Sequence, residues 1–221
     1  MRKRKEPLFT FLIYIYMNDL NFAGQIASLR LYADDTTTYR SHHDITFLEI
    51  YLNYDIDILL SWLSRNYLMV NNIKSQAMMV GDIAYVPQFI IGDSGVELSN
   101  SHKILGVIID DKLTFADHIQ SVIKKVYAKI GALRRLKKLM PVDVSPSLYK
   151  AYILPHLEYC SPLLLGINKT LSSKLEPVNK YALKSLLNLG NSVDYNTILA
   201  KSDMTTLEHR RFYSSLVLLF K

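Results

Sequence analysis

LRLYADDTTTY, residues 29–39, sets two adjacent carboxylates, Asp34 and Asp35, between alternating large apolar residues and a run of threonines. Successive side chains on a straight strand point to opposite faces, so the pair cannot line one site if the strand simply continues. A tight bend removes that obstacle. With LRLYA as one strand and TTTY as the other, the segment reads as a β-hairpin whose tip exposes both carboxylates. Mg²⁺ suits such a place, because it takes carboxylate oxygens together with water and substrate phosphates. The chemistry that uses paired ions there is phosphoryl transfer, with metals about 3.5–4 Å apart on the attacking and leaving oxygens. Aspartate also favours turns for its own backbone hydrogen bonding, so the dipeptide taken alone reads as an acidic turn first.

Downstream, Ile45, Leu48, Leu52, Ile56, Leu59 and Leu63 recur at steps of three and four, the period of a helix with one buried face. Asp44 is placed to cap its start. After Met69 strands are expected at QAMMV, in FIIGDSGVEL around a Gly-Asp-Ser-Gly turn, and at ILGVIID. From Thr114 the pattern becomes helical. Thr114 and Asp117 read as a capping box for a stripe of Phe115, Ile119, Val122, Val126, Ile130 and Leu133, ended by Pro141. Three more helices are expected: one opened by Ser145 and Pro146, one from Ser173 to Leu189 stopped by Gly190, and one opened by a Thr205–Glu208 box. Pro155 is expected to introduce a kink. The fold class is therefore α+β, with a β-rich part over 1–112 and an all-α part over 113–221.

Composition narrows the partners. The chain has 221 residues, 49% of them apolar, enough to bury a core, and its formal charge is +6 with an isoelectric point near 9.2. That balance favours anionic partners. Residues 102–140 hold nine Lys or Arg against three Asp, a surplus equal to the charge of the whole chain. Within it Lys124, Lys125, Lys129, Arg134, Arg135 and Lys138 lie off the apolar stripe, so one helix can pack inward and face phosphates outward. Lys137 falls on the stripe instead. A solvated surface is the plainer reading of such a helix. A single cysteine, Cys160, excludes an intramolecular disulfide and fits a reducing intracellular compartment, nuclear or cytoplasmic. The apolar run FTFLIYIYM is about half the length of a membrane span and reads as buried helix or strand. His42 and His43 beside Asp44 read as loop, their side chains diverging, and His156 with Cys160 as core packing rather than a nucleophile pair.

Taken together with its neighbours, Tyr-Ala-Asp-Asp resembles the Tyr/Phe-x-Asp-Asp motif of reverse transcriptases, in the non-LTR (LINE-type) retrotransposon branch. PLFTFLIYIYMNDL is similar to the segment preceding that motif. LSWLSRNYLMVNNIKSQAMMVG resembles the tryptophan helix and Leu-x-Asn-x-x-Lys-Thr signature that follow it. HKILGVIIDDKLTFADHI and LYKAYILPHLEYCSPLL match two later blocks. Five blocks in order span almost the whole chain.

The resemblance implies the C-terminal part of a polymerase palm followed by a helical thumb, with nucleotidyl transfer from dNTPs onto a DNA primer along an RNA template. It gives Asp34 and Asp35 to catalytic Mg²⁺ and Lys74 to the departing pyrophosphate. Leu105, Gly106 and Val107 become the hairpin that holds the primer end. The basic helix is left to track phosphates, which position a duplex without reading its sequence. No membrane partner is implied. The family also needs a third carboxylate from an earlier strand, and fingers for the nucleotide; neither has a counterpart here. MRKRKE stands where family sequence is expected, so Met1 is expected to mark a truncation, a degraded copy or a misplaced start. Phe115, Ser75 and Leu164 replace a tryptophan, a threonine and a tryptophan of the family pattern. These 221 residues are accordingly expected to be inactive alone. A nucleic-acid-binding remnant of a retroelement without catalysis is the alternative.

Overall fold

The structure of the protein is a computed structural model that describes residues 16–17, 19–20, 27–33, 35–81, 85–136, 144–187 and 192–220. Asp34, Lys137, Lys138, Pro141, Gly190, MRKRKE and most of FTFLIYIYM, each given a role above, lie outside the described residues. The architecture is α+β. The chain divides into two compact units, Met1–Asn100 and Ser101–Lys221. Among the described residues no helix is long and apolar enough to cross a membrane.

In the first unit β1 (Ser28–Tyr32) pairs antiparallel with β2 (Asp35–Tyr39), and Tyr32 lies opposite Asp35. Ala33, between them, has φ +55, a left-handed conformation that costs a residue with a Cβ about 1–2 kcal/mol. Helix α1 (Ile45–Arg65) follows, and its start is capped as expected: the Asp44 carboxylate takes the Thr46 amide at 2.8 Å. That hydrogen bond, more than any other contact, holds the Asp44 carboxyl below its usual range. Leu29 of β1 and Leu59 of α1 are buried with Leu20 in a small core, against which Leu31 and Trp62 pack.

The polar side of α1 is not simply solvated. Asn53 donates to the Gln88 carbonyl at 2.8 Å and accepts from the Ile90 amide at 3.0 Å. Glu49 takes the Gln88 amide at 2.9 Å and the Tyr85 hydroxyl at 2.5 Å. Two side chains thus dock β3 (Phe89–Ile91), which turns through Gly92 (φ +61) into β4 (Ser94–Val96). The strand expected at QAMMV is reduced to one bridge, Ala77 with Leu98, because among the described residues no further strand pairs with it. His42 and His43 do not diverge. Their rings stack at 4.3 Å between centroids, since the backbone there is loop rather than strand.

In the second unit ILGVIID is not one strand. It breaks at Leu105–Gly106 into a hairpin of β5 (Ser101–Ile104) and β6 (Val107–Asp110), with Ile104 opposite Val107. Helix α2 (Ala116–Leu136) then buries Ile119, Val122, Val126, Ile130 and Leu133 of the expected stripe, with His118 beside them, whereas Phe115, its expected first member, precedes the helix on left-handed backbone (φ +58). Thr114 does cap α2, its hydroxyl accepting the Ala116 amide at 3.3 Å, but the organising acid is Asp110 and not Asp117. Asp110 takes the amides of Lys112, Thr114 and Phe115 and the Thr114 hydroxyl.

The next helix passes through a π-turn just before Pro155, where a kink was expected. It runs α3 (Ser145–Leu148), a π-turn (Tyr149–Ile153) and α4 (Leu154–Glu158). Pro155 has no N–H for the regular ladder, and the Leu154 amide bonds five residues back to the Tyr149 carbonyl. Helix α5 (Lys169–Leu187) begins four residues before the expected Ser173, because the Asn168 side chain accepts the Leu171 amide at 2.7 Å. It carries Pro177 within it. An unexpected short helix, α6 (Tyr195–Ser202), is capped by Asp194. Helix α7 (Leu207–Leu219) is capped by Thr206, one residue later than expected, through the His209 amide at 3.2 Å.

These helices share one apolar core. Through it runs a polar chain. The Tyr149 hydroxyl donates to Asn179, Asn179 donates to the Tyr195 hydroxyl at 2.8 Å, and Tyr195 donates to Glu176 at 2.6 Å. Burial above all raises the pKa of both tyrosines, keeping them neutral donors.

Candidate nucleic-acid interface

Helix α2 divides its sides by chemistry. With the apolar stripe inward, Lys124, Lys125, Arg134 and Arg135 are exposed and Lys129 is half-buried. Lys129 Nζ stands 3.5 Å from the centroid of the Tyr152 ring, and Arg134 donates to the Tyr181 hydroxyl at 2.6 Å. Tyr181 also meets Tyr127, at 5.7 Å between centroids. Two of the predicted phosphate contacts therefore rest on tyrosines that charge counting alone passes over. A cation over an exposed ring gains about 0.5–1 kcal/mol, so each ring helps to hold its cation in place. The field of these cations reaches inward. Burial first, and then Lys125, depress the pKa of His118; burial, then Lys129 and Lys125, depress that of His156.

The β5–β6 turn lies in the same unit. Leu105 (φ +47) and Gly106 (φ +92) are both left-handed, the backbone that a two-residue hairpin loop requires and that Asn-Gly adopts most readily. Leucine at the first position costs about 1–2 kcal/mol. Val107 is buried, and the Ile108 amide donates to His118 Nδ1 at 3.4 Å, tying β6 to α2. The Tyr159 hydroxyl donates to the Leu105 carbonyl at 2.5 Å.

Asp35 and Lys74 belong to the first unit. Asp35 is exposed at the start of β2, and Lys74 ends an exposed 3₁₀ turn, Asn72–Lys74. Among the described residues no hydrogen bond or ion pair joins them, and no group of three or more His, Cys, Asp or Glu stands together to hold a metal. An exposed carboxylate at a hairpin's end suits a hard cation, but Asp35 alone is too few donors for one. Any Mg²⁺ at this place needs further oxygens.

No family model matches the chain, and no solved structure does. An uncharacterized protein of Caenorhabditis elegans is 29% identical over 115 residues, covering 51% of this chain and 58% of its own length. The chain thus matches little more than half of that relative, whose printed name assigns no activity.

Proposed function

We propose that the chain is the C-terminal palm and thumb portion of a non-LTR retrotransposon reverse transcriptase, an RNA-directed DNA polymerase. The observation that carries this reading is the register of the first hairpin. Tyr32 lies opposite Asp35, which makes the Tyr-Ala-Asp-Asp string the closed end of a strand pair, where neighbouring carboxylates can share a site. The left-handed turn at Leu105–Gly106 and the cationic side of α2 support it, being what the resemblance asks of a primer-holding hairpin and a phosphate-tracking helix. In the whole enzyme Asp34 and Asp35 would hold Mg²⁺, which supplies charge stabilisation on the attacking and leaving oxygens. Lys74 would face the departing pyrophosphate.

The test pairs binding with primer extension on the purified protein. The expected result is binding of an RNA–DNA primer–template hybrid that weakens steeply with salt, without dNTP incorporation, because the resemblance requires a third carboxylate that these residues do not supply. Incorporation abolished by Asp34→Ala would overturn the inactivity and establish a polymerase outright. Salt-steep binding indifferent to both Mg²⁺ and Asp34→Ala would favour the non-catalytic remnant. Absence of hybrid binding would sink both.

A further inference from the structure

The turn between β5 and β6 is held in a conformation its own sequence disfavours. Leu105, with a branched side chain and φ +47, stands where asparagine or glycine fits best, and its side chain remains 45% exposed. A strained residue that gains little from burial persists only where its surroundings over-determine it.

The surroundings that do so come from fifty-four residues downstream. Tyr159, at the end of α4, donates its hydroxyl to the Leu105 carbonyl at 2.5 Å. Its ring lies flush against Gly106: a methyl group added there would stand 3.5 Å from Cε1 and 3.8 Å from the hydroxyl oxygen. The other strand of the hairpin is fastened separately, by the Ile108 amide on His118. Tyr159 is itself 48% exposed, so core burial does not account for where it stands.

We propose that Tyr159 is a positioning residue that locks the Leu105–Gly106 turn so that its backbone can lie against the sugar–phosphate backbone of a bound primer–template hybrid. The inference rests on the reverse-transcriptase reading above and adds to it a residue from the helical region. Phosphate contacts supply affinity without sequence choice. A turn that wanders between conformers pays an ordering cost on binding that a locked one avoids.

Tyr159→Phe keeps the ring and removes the donor. The test is hybrid affinity across a salt series with the full chain. The expected result is a loss of about fivefold, the scale of one net hydrogen bond, with an unchanged salt slope because no cation is removed. The Gly106 amide resonance should shift while the unfolding midpoint moves little. Leu105→Asn, which favours the left-handed turn by itself, should make Tyr159→Phe silent, a coupling that general destabilisation would not produce. Wild-type binding with an unaltered Tyr159→Phe affinity would overturn the role of Tyr159 alone. If the wild-type chain fails to bind the hybrid, the reverse-transcriptase reading falls and the inference with it. Should Tyr159→Phe fail to fold alone, it is made on the Leu105→Asn background, where a fivefold loss of affinity relative to Leu105→Asn would overturn the locking role.

Discussion

The carboxyl of Asp55, in the buried middle of α1, accepts the amide of Ala27 at 2.6 Å and so ties the residue just before β1 to that helix. An apolar pattern alone marks position 55 as an interruption. Here it is a clamp. Asp55→Ala should lower stability by about 1–3 kcal/mol, the cost of leaving an amide unpaired away from water. Asp55→Asn, which keeps an acceptor oxygen, should cost less. Urea midpoints of the two variants check this, and equal losses would mean that the acceptor is not what matters.

Asp110 makes stability depend on acid in a stated direction. Burial pushes its carboxyl up, but the amides of Thr114, Phe115 and Lys112 and the Thr114 hydroxyl together hold it below its ordinary 3.8. The unfolded chain therefore binds the proton first. The stabilisation is fully present above pH 3.8 and is lost as pH falls through the depressed folded value. Asp110→Asn should flatten the stability profile in that acid range while lowering stability at neutral pH.

The two depressed histidines act higher on the scale. His118 and His156 are held below an ordinary value of 6.5, chiefly by burial. Their unfolded forms take up protons first, so stability should decline as pH drops below about 6.5 and level off beneath the folded values. His118→Gln keeps an acceptor for the Ile108 amide and removes the titration. Its stability should vary less between neutral pH and mild acid, read by thermal unfolding at matched ionic strength.

Neutralising Lys124 or Lys125 to Gln should reduce the slope of log affinity against log salt by up to about 0.9 each, if each cation meets one phosphate. Lys129→Gln should reduce it less and also lower the melting temperature, because that ammonium lies over the Tyr152 ring. Equal slopes and equal melting temperatures for all three would show that the tyrosine does not restrain Lys129.

Much of this was legible in the residues. Side-chain period exposes a helix with one buried face, so α1, α2 and the cationic side of α2 could be read directly, and Gly92 marked its own turn. What escaped depends on partners distant in sequence or on single cap atoms. QAMMV has strand composition but finds one bridging neighbour. The apolar pattern reads straight through Leu105, where only the resemblance implied a hairpin, because its left-handed backbone is supported by Tyr159. Helix α6 is short, and its period spans barely two turns. Thr205 and Thr206 are chemically alike, and only the His209 amide distinguishes the cap. In the second unit the exposed cations of α2 were legible in the sequence, and the tyrosines that order Lys129 and Arg134 were not.

The corner between β6 and α2 also acts as a phase setter. Leu113 and Phe115 both take left-handed backbone there, fastened by Asp110, and the helix starts at the next residue. Each residue of an α-helix advances about 100°. One amino acid gained or lost inside that short corner would rotate everything after it by that angle, pressing lysines toward the oil and lifting valines into water. Length there is consequently far less negotiable than identity.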